Sequence, residues 1–313
     1  MRVFVAGATG AIGTRLVPKL VERGHEVIGT SRSMDRAQRL HALGAEPVAL
    51  DMLDRRAVRD AVLNAKPEAI IHQATALTGL SDFKHFDRSF HQTNLLRTEG
   101  TDALLEAARE AGVRRFIAQS FASYRYAREG GPVKTEDDPL DPAPVPAMRE
   151  TEEAMAYLDR VVTEAGGIAL RYGGFYGDPN DTTLIDAVRA RKFPIVGNGQ
   201  GVSSFIHLDD AADATVLALE HDGPAIYNVV DDEPAPIKVW LPELARILGA
   251  KPPRHFPTWL ARMFAGEALV MMATGARGAS NAKAKRELGW TLAHASWRRG
   301  FAETYGPRRN PAR

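Results

Sequence analysis

The chain of 313 residues has no cysteine. That excludes disulfides, cysteine-ligated zinc, iron–sulfur clusters and thiol catalysis. It also lacks an apolar run of about 18 residues, the length a membrane-crossing helix needs. Charge of one sign is scarce: 40 Lys and Arg stand against 39 Asp and Glu. Such balance leaves no bulk field to hold nucleic acid or an anionic membrane, so neither is expected as a partner. The opening Met1-Arg2-Val3-Phe4-Val5-Ala6 reads as a strand, without the basic and apolar regions of a secretory leader. Together with the missing cysteines, this sets the expectation of a cytoplasmic protein. Apolar content of 44% and charged content of 25% are those of a globular chain. The length allows one or two domains.

What is present is an alternation of short β-branched runs with helical patterns. Strands are expected at Val3 to Ala6, Glu26 to Thr30, Pro47 to Leu50, Ala69 to His72, Arg115 to Gln119 and Ile168 to Arg171. Helices fall between them, clearest at Thr101 to Glu110, where Leu104, Leu105 and Ala108 share one face. Glycine follows several helices (Gly24, Gly44, Gly112), as strand–helix repetition with a parallel sheet requires. The expected fold is α/β, a Rossmann-type doubly wound parallel sheet with a smaller interleaved C-terminal region. Residues 1–172 would form the dinucleotide-binding part, with returns at about 203–230. Residues 173–202 and 231–306 would hold the substrate, and 307–313 would be a disordered tail.

Strand one ends in Gly7-Ala8-Thr9-Gly10-Ala11-Ile12-Gly13 and opens directly into a helix. Glycine lets the backbone approach a pyrophosphate, and a helix N-terminus offers free N–H groups and positive dipole. A cofactor of the nicotinamide dinucleotide type is therefore expected. NAD-preferring sites usually end strand two in an acid that accepts the ribose 2′-hydroxyl. Here Gly29-Thr30-Ser31-Arg32-Ser33 has no acid until Asp35. Ser31 and Arg32 offer a hydroxyl and a guanidinium suited to a 2′-phosphate, so NADP(H) is expected over NAD(H).

Further segments occur in order: Ile71-His72-Gln73-Ala74-Thr75, Asn94 through Gly100-Thr101 to Ala108, Arg115 to Ser120, Leu170 to Gly177, Phe205 to Asp210, and Lys285 to Trp290. Taken together they resemble the extended short-chain dehydrogenase/reductase superfamily, in its NAD-dependent epimerase/dehydratase group, over nearly the whole chain. The resemblance implies that Gly7, Thr9, Gly10, Ala11, Ile12 and Gly13 hold the pyrophosphate. Asp51 and Met52 would meet the adenine, Gln73, Ala74 and Thr75 would line the ribose, and Asn94 would order the central helix. Asp51 could equally cap the helix containing Ala57 and Val58. Asp209-Asp210 reads as a helix cap, and His72 as a satisfied core histidine. A homodimer is implied through the helices at 94–110 and 149–163, where Leu95, Leu105, Met155, Leu158 and Val162 offer apolar faces.

The chain departs from the family at the proton relay. Members that interconvert carbonyl and alcohol carry Tyr-x-x-x-Lys before strand six. Alignment by spacing to Leu170-Arg171 puts Thr151 and Met155 at those two positions, and no Tyr-x-x-x-Lys occurs anywhere. Ser120 matches the family's active-site hydroxyl at the end of strand five. Ser120, Tyr124 and Tyr172 are the expected catalytic residues, and Tyr172 would also touch the cofactor. A neutral hydroxyl can donate to a group being reduced but cannot readily deprotonate an alcohol near pH 7, which points to reduction. Gly201-Val202-Ser203-Ser204 lacks the arginine with which nucleotide-sugar members meet a phosphate. The stretch Trp259, Leu260, Met263, Phe264 and Leu269 to Met272 reads as core more than pocket; any part of it that lined the site would suit a small, mostly apolar substrate. Three functions stay open: an NADP(H)-dependent reductase of a carbonyl or activated double bond, a sugar epimerase or dehydratase with relocated acid–base groups, and a redox-silent NADP-binding sensor.

Overall fold

The computed structural model describes residues 1–77, 82–180 and 182–307. Most of the tail expected at 307–313 lies outside them. Seven strands form one sheet: β1 (Arg2–Ala6), β2 (Glu26–Ser31), β3 (Glu46–Ala49), β4 (Ala69–His72), β5 (Arg115–Phe121), β6 (Ile168–Tyr172) and β7 (Ala225–Val229). Their spatial order is β7-β6-β5-β4-β1-β2-β3, and every pairing is parallel. The order reverses between β1 and β4, where open α/β sheets place their ligand crevice.

Alternation along the strands divides the core into two layers. Val3, Val5, Ile117, Leu170 and Tyr172 pack beneath α1 (Gly13–Glu22) and, later in the chain, the helix Leu208–Glu220. Phe4, Ala6, Phe116 and Ala118 pack on the other face against α3 (Arg55–Ala65), α5 (Thr101–Ala111) and α6 (Arg149–Glu164). Two shorter helices lie between these, α2 (Met34–Gln38) and α4 (Phe86–Leu95); α4 runs through a π-helical turn, Leu96–Gly100, into α5. A separate apolar core joins Ile185, Val196, Phe205, Trp240, Leu244, Trp297 and Phe301. That core is built on α7 (Thr183–Arg189), α9 (Ile237–Ile247), α10 (Thr258–Thr274) and α12 (Trp297–Tyr305), whereas α8 (Leu208–Glu220) and α11 (Ala282–Leu288) pack in the sheet layer with α1.

Several local expectations need correction. The cap of α3 is Asp54, whose carboxylate accepts from the Ala57 N–H at 2.9 Å, and not Asp51. His207 caps α8 by accepting from the Asp209 N–H at 3.1 Å. Asp210 is buried and instead accepts from the backbone N–H groups of Ala293 and His294. The α10 stripe is not uniformly core: Gly266 breaks the helix at φ +83°, leaving Trp259 and Phe264 67% and 69% exposed while Val270 and Met271 are buried. Of the apolar residues expected at a dimer seam, Met155, Leu158 and Val162 are buried within the chain, Leu105 edges the groove beside α5, and Leu95 is partly exposed. The groove left between α5 and α6 is lined by Asp102, Glu106, Arg109 and Glu164 beside Leu105 and Val161. No described helix is long and apolar enough to cross a membrane.

Candidate active site

Gly7 leaves β1 at φ +82°, a conformation open to glycine at little cost. A Cβ there would lie 2.7 Å from the Ala74 Cα, so the turns after β1 and β4 touch backbone to backbone. Gly10 folds back through its N–H to the Gly7 carbonyl at 3.0 Å, and α1 starts at Gly13. Thr14, Arg15 and Leu16 already donate to the Gly10 and Ile12 carbonyls, so the N–H groups that the turn leaves to an anion are those of Ala11, Ile12 and Gly13. Next to it the Gly7 N–H donates to Thr30 Oγ1 and the Thr9 hydroxyl to Ser31 Oγ, both at 3.1 Å. Ser31 thus stands against the phosphate turn. Arg32 follows it, exposed and without an ion pair among the described residues.

The Leu50 N–H bonds the Ser31 carbonyl, which brings Asp51 and Met52 alongside; Asp51 is exposed and Met52 buried. Gln73 is buried and Ala74 and Thr75 are partly exposed on the rim. These residues stand at the C-terminal ends of β1, β2, β3 and β4, beside the switch point. The turn at Gly7 and Gly10, where no side chain stands, fits a nicotinamide dinucleotide.

At the ends of β5 and β6 the expected catalytic groups are not brought together. Ser120 shares a sheet face with Phe116 and Ala118 and is 1% exposed. Its Oγ accepts from Arg125 Nη1 at 3.0 Å and lies against Asp159. Tyr172 faces the opposite layer, donor or acceptor to Thr215 Oγ1 at 2.6 Å and acceptor from Gln73 Nε2 at 3.1 Å. Burial pushes its phenol up to about 12. Both hydroxyls are engaged inside the core, so their expected contact with substrate does not fit this geometry. Gln73, Tyr172 and Thr215 instead form a chain that holds the end of β4. His72 is, as expected, a core histidine: burial lowers it to about 4, and Nε2 meets the Leu96 carbonyl at 3.1 Å.

Thr151 is buried and engaged at every polar atom. Its N–H and hydroxyl both reach Asp87 Oδ1, at 2.9 and 2.7 Å, and Asn94 Nδ2 donates to its Oγ1 at 3.0 Å. Asp87 also accepts from the Glu150 N–H, so this carboxylate of α4 satisfies the first turn of α6. Met155 packs with Phe86, Met148, Met271 and Tyr124. Neither position can pass a proton. Tyr157, the tyrosine nearest them on α6, points outward and donates to Asp102.

Tyr124 differs from the other hydroxyls. It adopts φ +56°, rare for a bulky residue, and strain of this kind costs about 1–3 kcal/mol and concentrates at functional sites. Its ring meets Phe86 edge-on at 5.8 Å and Phe121 at 5.1 Å. Its hydroxyl bonds none of the described residues. Burial pushes its pKa well above the usual tyrosine value, so the phenol stays protonated and keeps a proton to donate.

Beneath Ser120 lies a charge cluster invisible to motif reading. Asp159 Oδ2 takes Arg125 Nη1 at 2.8 Å and Arg171 Nε at 2.9 Å. Arg171 also donates to Tyr126, which donates to Asn228 at 2.7 Å. Burial acts to raise the Asp159 carboxyl, but the two guanidiniums outweigh it and hold it below the usual range. Glu152, two turns before Asp159 on α6, is pushed up to about 8 by burial and by the charge of Asp141. A carboxyl raised from 4.5 stabilises the fold fully below about pH 4.5 and loses that contribution as pH climbs through about 8. Melting temperature is therefore expected to fall between about pH 5 and 8, and Glu152→Gln to flatten part of that slope in differential scanning calorimetry; an unchanged slope contradicts the assignment.

A doubly wound parallel sheet with a glycine turn at its switch point is the frame of a nicotinamide-dinucleotide enzyme of the short-chain type. The model of the NAD dependent epimerase/dehydratase family matches residues 3–229, and the chain belongs to that family. A "3-diazoavenalumate denitrifying reductase" from a Streptomyces species is 46% identical over 308 residues, covering 96% of this chain and 99% of the relative. A 4-hydroxy-2-methyl-3-oxo-4-farnesyl-3,4-dihydroquinoline-1-oxide ketoreductase from Stigmatella aurantiaca is 29% identical, covering 80% and 74%. Among solved structures, a UDP-glucose 4-epimerase of Thermotoga maritima with UDP-glucose superposes with a TM-score of 0.75 over 97% of both chains at 22% identity, a likeness of fold. The protein is an NAD(P)-dependent enzyme of this family.

Proposed function

We propose that the protein is an NADPH-dependent reductase that removes nitrogen from a small, mostly apolar diazo compound. The observation that carries this reading is the pair of positions 151 and 155. A threonine locked between Asp87 and Asn94 and an enclosed methionine stand where a carbonyl reductase needs its acid and the cation that tunes it. Reduction of a diazonium carbon needs neither. Bound NADPH would supply hydride to the aryl diazonium form of the substrate: the C–H bond forms, the C–N bond breaks, its electron pair departs with dinitrogen, and that step consumes no proton. The similarity along nearly the full chain to a reductase whose name states that reaction supports the same choice. An epimerase must instead take a proton from an alcohol and return it, which a threonine hydroxyl cannot do near pH 7.

In this reading Gly7, Thr9, Gly10, Ala11, Ile12 and Gly13 cradle the pyrophosphate, Ser31 and Arg32 take the 2′-phosphate, and Asp51, Met52, Gln73, Ala74 and Thr75 line the adenosine and ribose path. Asn94 supports Thr151 and with it the start of α6. Tyr124 donates a hydrogen bond to the substrate and orients it. Ser120 and Tyr172 position the strand ends from within the core. Two outcomes are expected. NADPH should bind more tightly than NADH by at least about tenfold, and Arg32→Ala should erase most of that gap in isothermal titration; equal affinities in the parent end the NADP assignment. With 3-diazoavenalumate as substrate, NADPH consumption should match dinitrogen release. Tyr124→Phe should lower kcat/KM by about tenfold or more, whereas Ser120→Ala should chiefly lower the melting temperature. The reverse pattern would return Ser120 to the substrate.

A further inference from the structure

Three guanidiniums are buried where β5 and β6 end: Arg97 at 4% exposure, Arg125 at 1% and Arg171. Among the described residues only one ionised acid, Asp159, is buried with them, and it is shared by Arg125 and Arg171. Arg97 forms no hydrogen bond and no ion pair with any described residue; its Nε and Nη1 are buried without partners, as are Nε and Nη2 of Arg125. The neighbouring acids are committed elsewhere. Asp87 holds the first turn of α6, Asp141 pairs with Arg128 at 3.1 Å, Glu136 accepts from the Asn228 N–H, and Glu152 is held neutral by burial. Folded proteins do not leave a buried cation uncompensated without cause, because desolvation opposes it strongly. The cluster lacks an anion.

The place of that anion follows from what surrounds Arg97. The Arg97 charge acts on the Tyr124 hydroxyl, the one phenol of the site that is free to donate. Tyr124 belongs to an apolar cluster with Phe86, Met148, Met155 and Met271, in which Phe86 stacks on Phe90 at 4.3 Å. Methionine side chains adapt readily to a flat apolar guest. A cation at the edge of an aromatic and methionine wall suits a ligand with a planar apolar body and an ionised carboxylate head, since guanidinium recognises carboxylate by its fork of N–H groups.

We propose that Arg97 is the carboxylate-binding residue of the substrate site, with Tyr124 beside it, and that the enzyme takes small aromatic carboxylic acids in preference to their uncharged analogues. This rests on the reading that substrate lies at Tyr124. The test is isothermal titration of the NADP⁺-saturated enzyme with cinnamate and with cinnamide, which differ in the charge of the head group. Cinnamate is expected to bind at least about tenfold more tightly to the parent, and Arg97→Met to reduce that ratio to about twofold or less while NADP⁺ affinity is unchanged. Ligand-free Arg97→Met should melt no lower than the parent, because an apolar side chain of similar length relieves an unpaired buried charge. Equal binding of acid and amide by the parent overturns the proposal, as does a ratio retained in Arg97→Met. A loss of NADP⁺ affinity in the variant also overturns it, by making the cofactor's phosphates the missing anion. The parent comparison decides even if the variant does not fold, and Arg97→Lys, which keeps the charge, should then preserve part of the preference. No hydride transfer enters this readout, so its failure leaves the reductase reading standing, and failure of diazo turnover leaves the carboxylate site standing.

Discussion

Asp159→Asn is expected to destabilise the protein by about 3–5 kcal/mol, the usual cost of removing one partner from a buried ion pair. The carboxylate is 3% exposed and its Oδ2 serves two guanidiniums, Arg125 and Arg171, both themselves buried. Asparagine keeps the shape and loses the charge, so the change isolates electrostatics from packing. The cost is raised because Arg97 adds a third buried cation with no partner of its own. Breakage would spread along the chain of contacts: Arg125 holds Ser120 and the Phe121 carbonyl, and Arg171 holds Tyr126. Urea denaturation measures the effect through the midpoint at constant slope. A loss below about 1 kcal/mol would mean that Asp159 is dispensable, contradicting the cluster's role in fixing the ends of β5 and β6.

Gly7→Val is expected to lower NADPH affinity by about a hundredfold or more, equivalent to roughly 2.7 kcal/mol. Two effects add. The residue sits at φ +82°, where a β-branched side chain is strained, and its Cβ would lie 2.7 Å from the Ala74 Cα and 2.9 Å from the Gln73 carbonyl carbon. The turns after β1 and β4 would separate. Gly10→Ala is the milder companion, with a Cβ 3.3 Å from the Gly7 carbonyl oxygen and no positive φ. It should fold like the parent and lose about tenfold in affinity by crowding the pyrophosphate. Fluorescence titration of NADPH reads both. Affinities within about threefold of the parent would place the cofactor elsewhere.

Much of the frame could be read from the sequence because its signals are local. The glycine turn stands between a β-branched run and an amphipathic helix, and β4 is bounded as expected at Ala69 and His72. The direction of Ser120 was also readable: it follows Phe116 and Ala118 at a period of two, so it points into the α6 layer, and the match to a family motif obscured this. Asp159 left a weaker trace. On α6, Thr151, Met155, Leu158 and Val162 mark the inward stripe, and Glu152 and Asp159 lie on its flank at a spacing of seven. What no spacing reveals is pairing across the fold. Asp87 meets Thr151 from 64 residues away, and Tyr126 meets Asn228 from 102. Arg97 was hidden by its own segment, since Leu96–Gly100 is a π-helical turn that disturbs the helical period around it. Nor does spacing reveal the break at Gly266, which packs against the Lys84 backbone between the exposed Trp259 and Phe264 and the buried Val270 and Met271.

The central claim is hydride reduction with loss of nitrogen and without a proton relay from the enzyme. It is tested most directly by mass spectrometry of the product formed in ordinary water from 3-diazoavenalumate and NADPH deuterated at the transferable C4 position. The account predicts one deuterium on the carbon that carried nitrogen, in step with the cofactor oxidised. A product that carries solvent hydrogen at that carbon while the deuterated cofactor is consumed, or that retains both nitrogens, would contradict it.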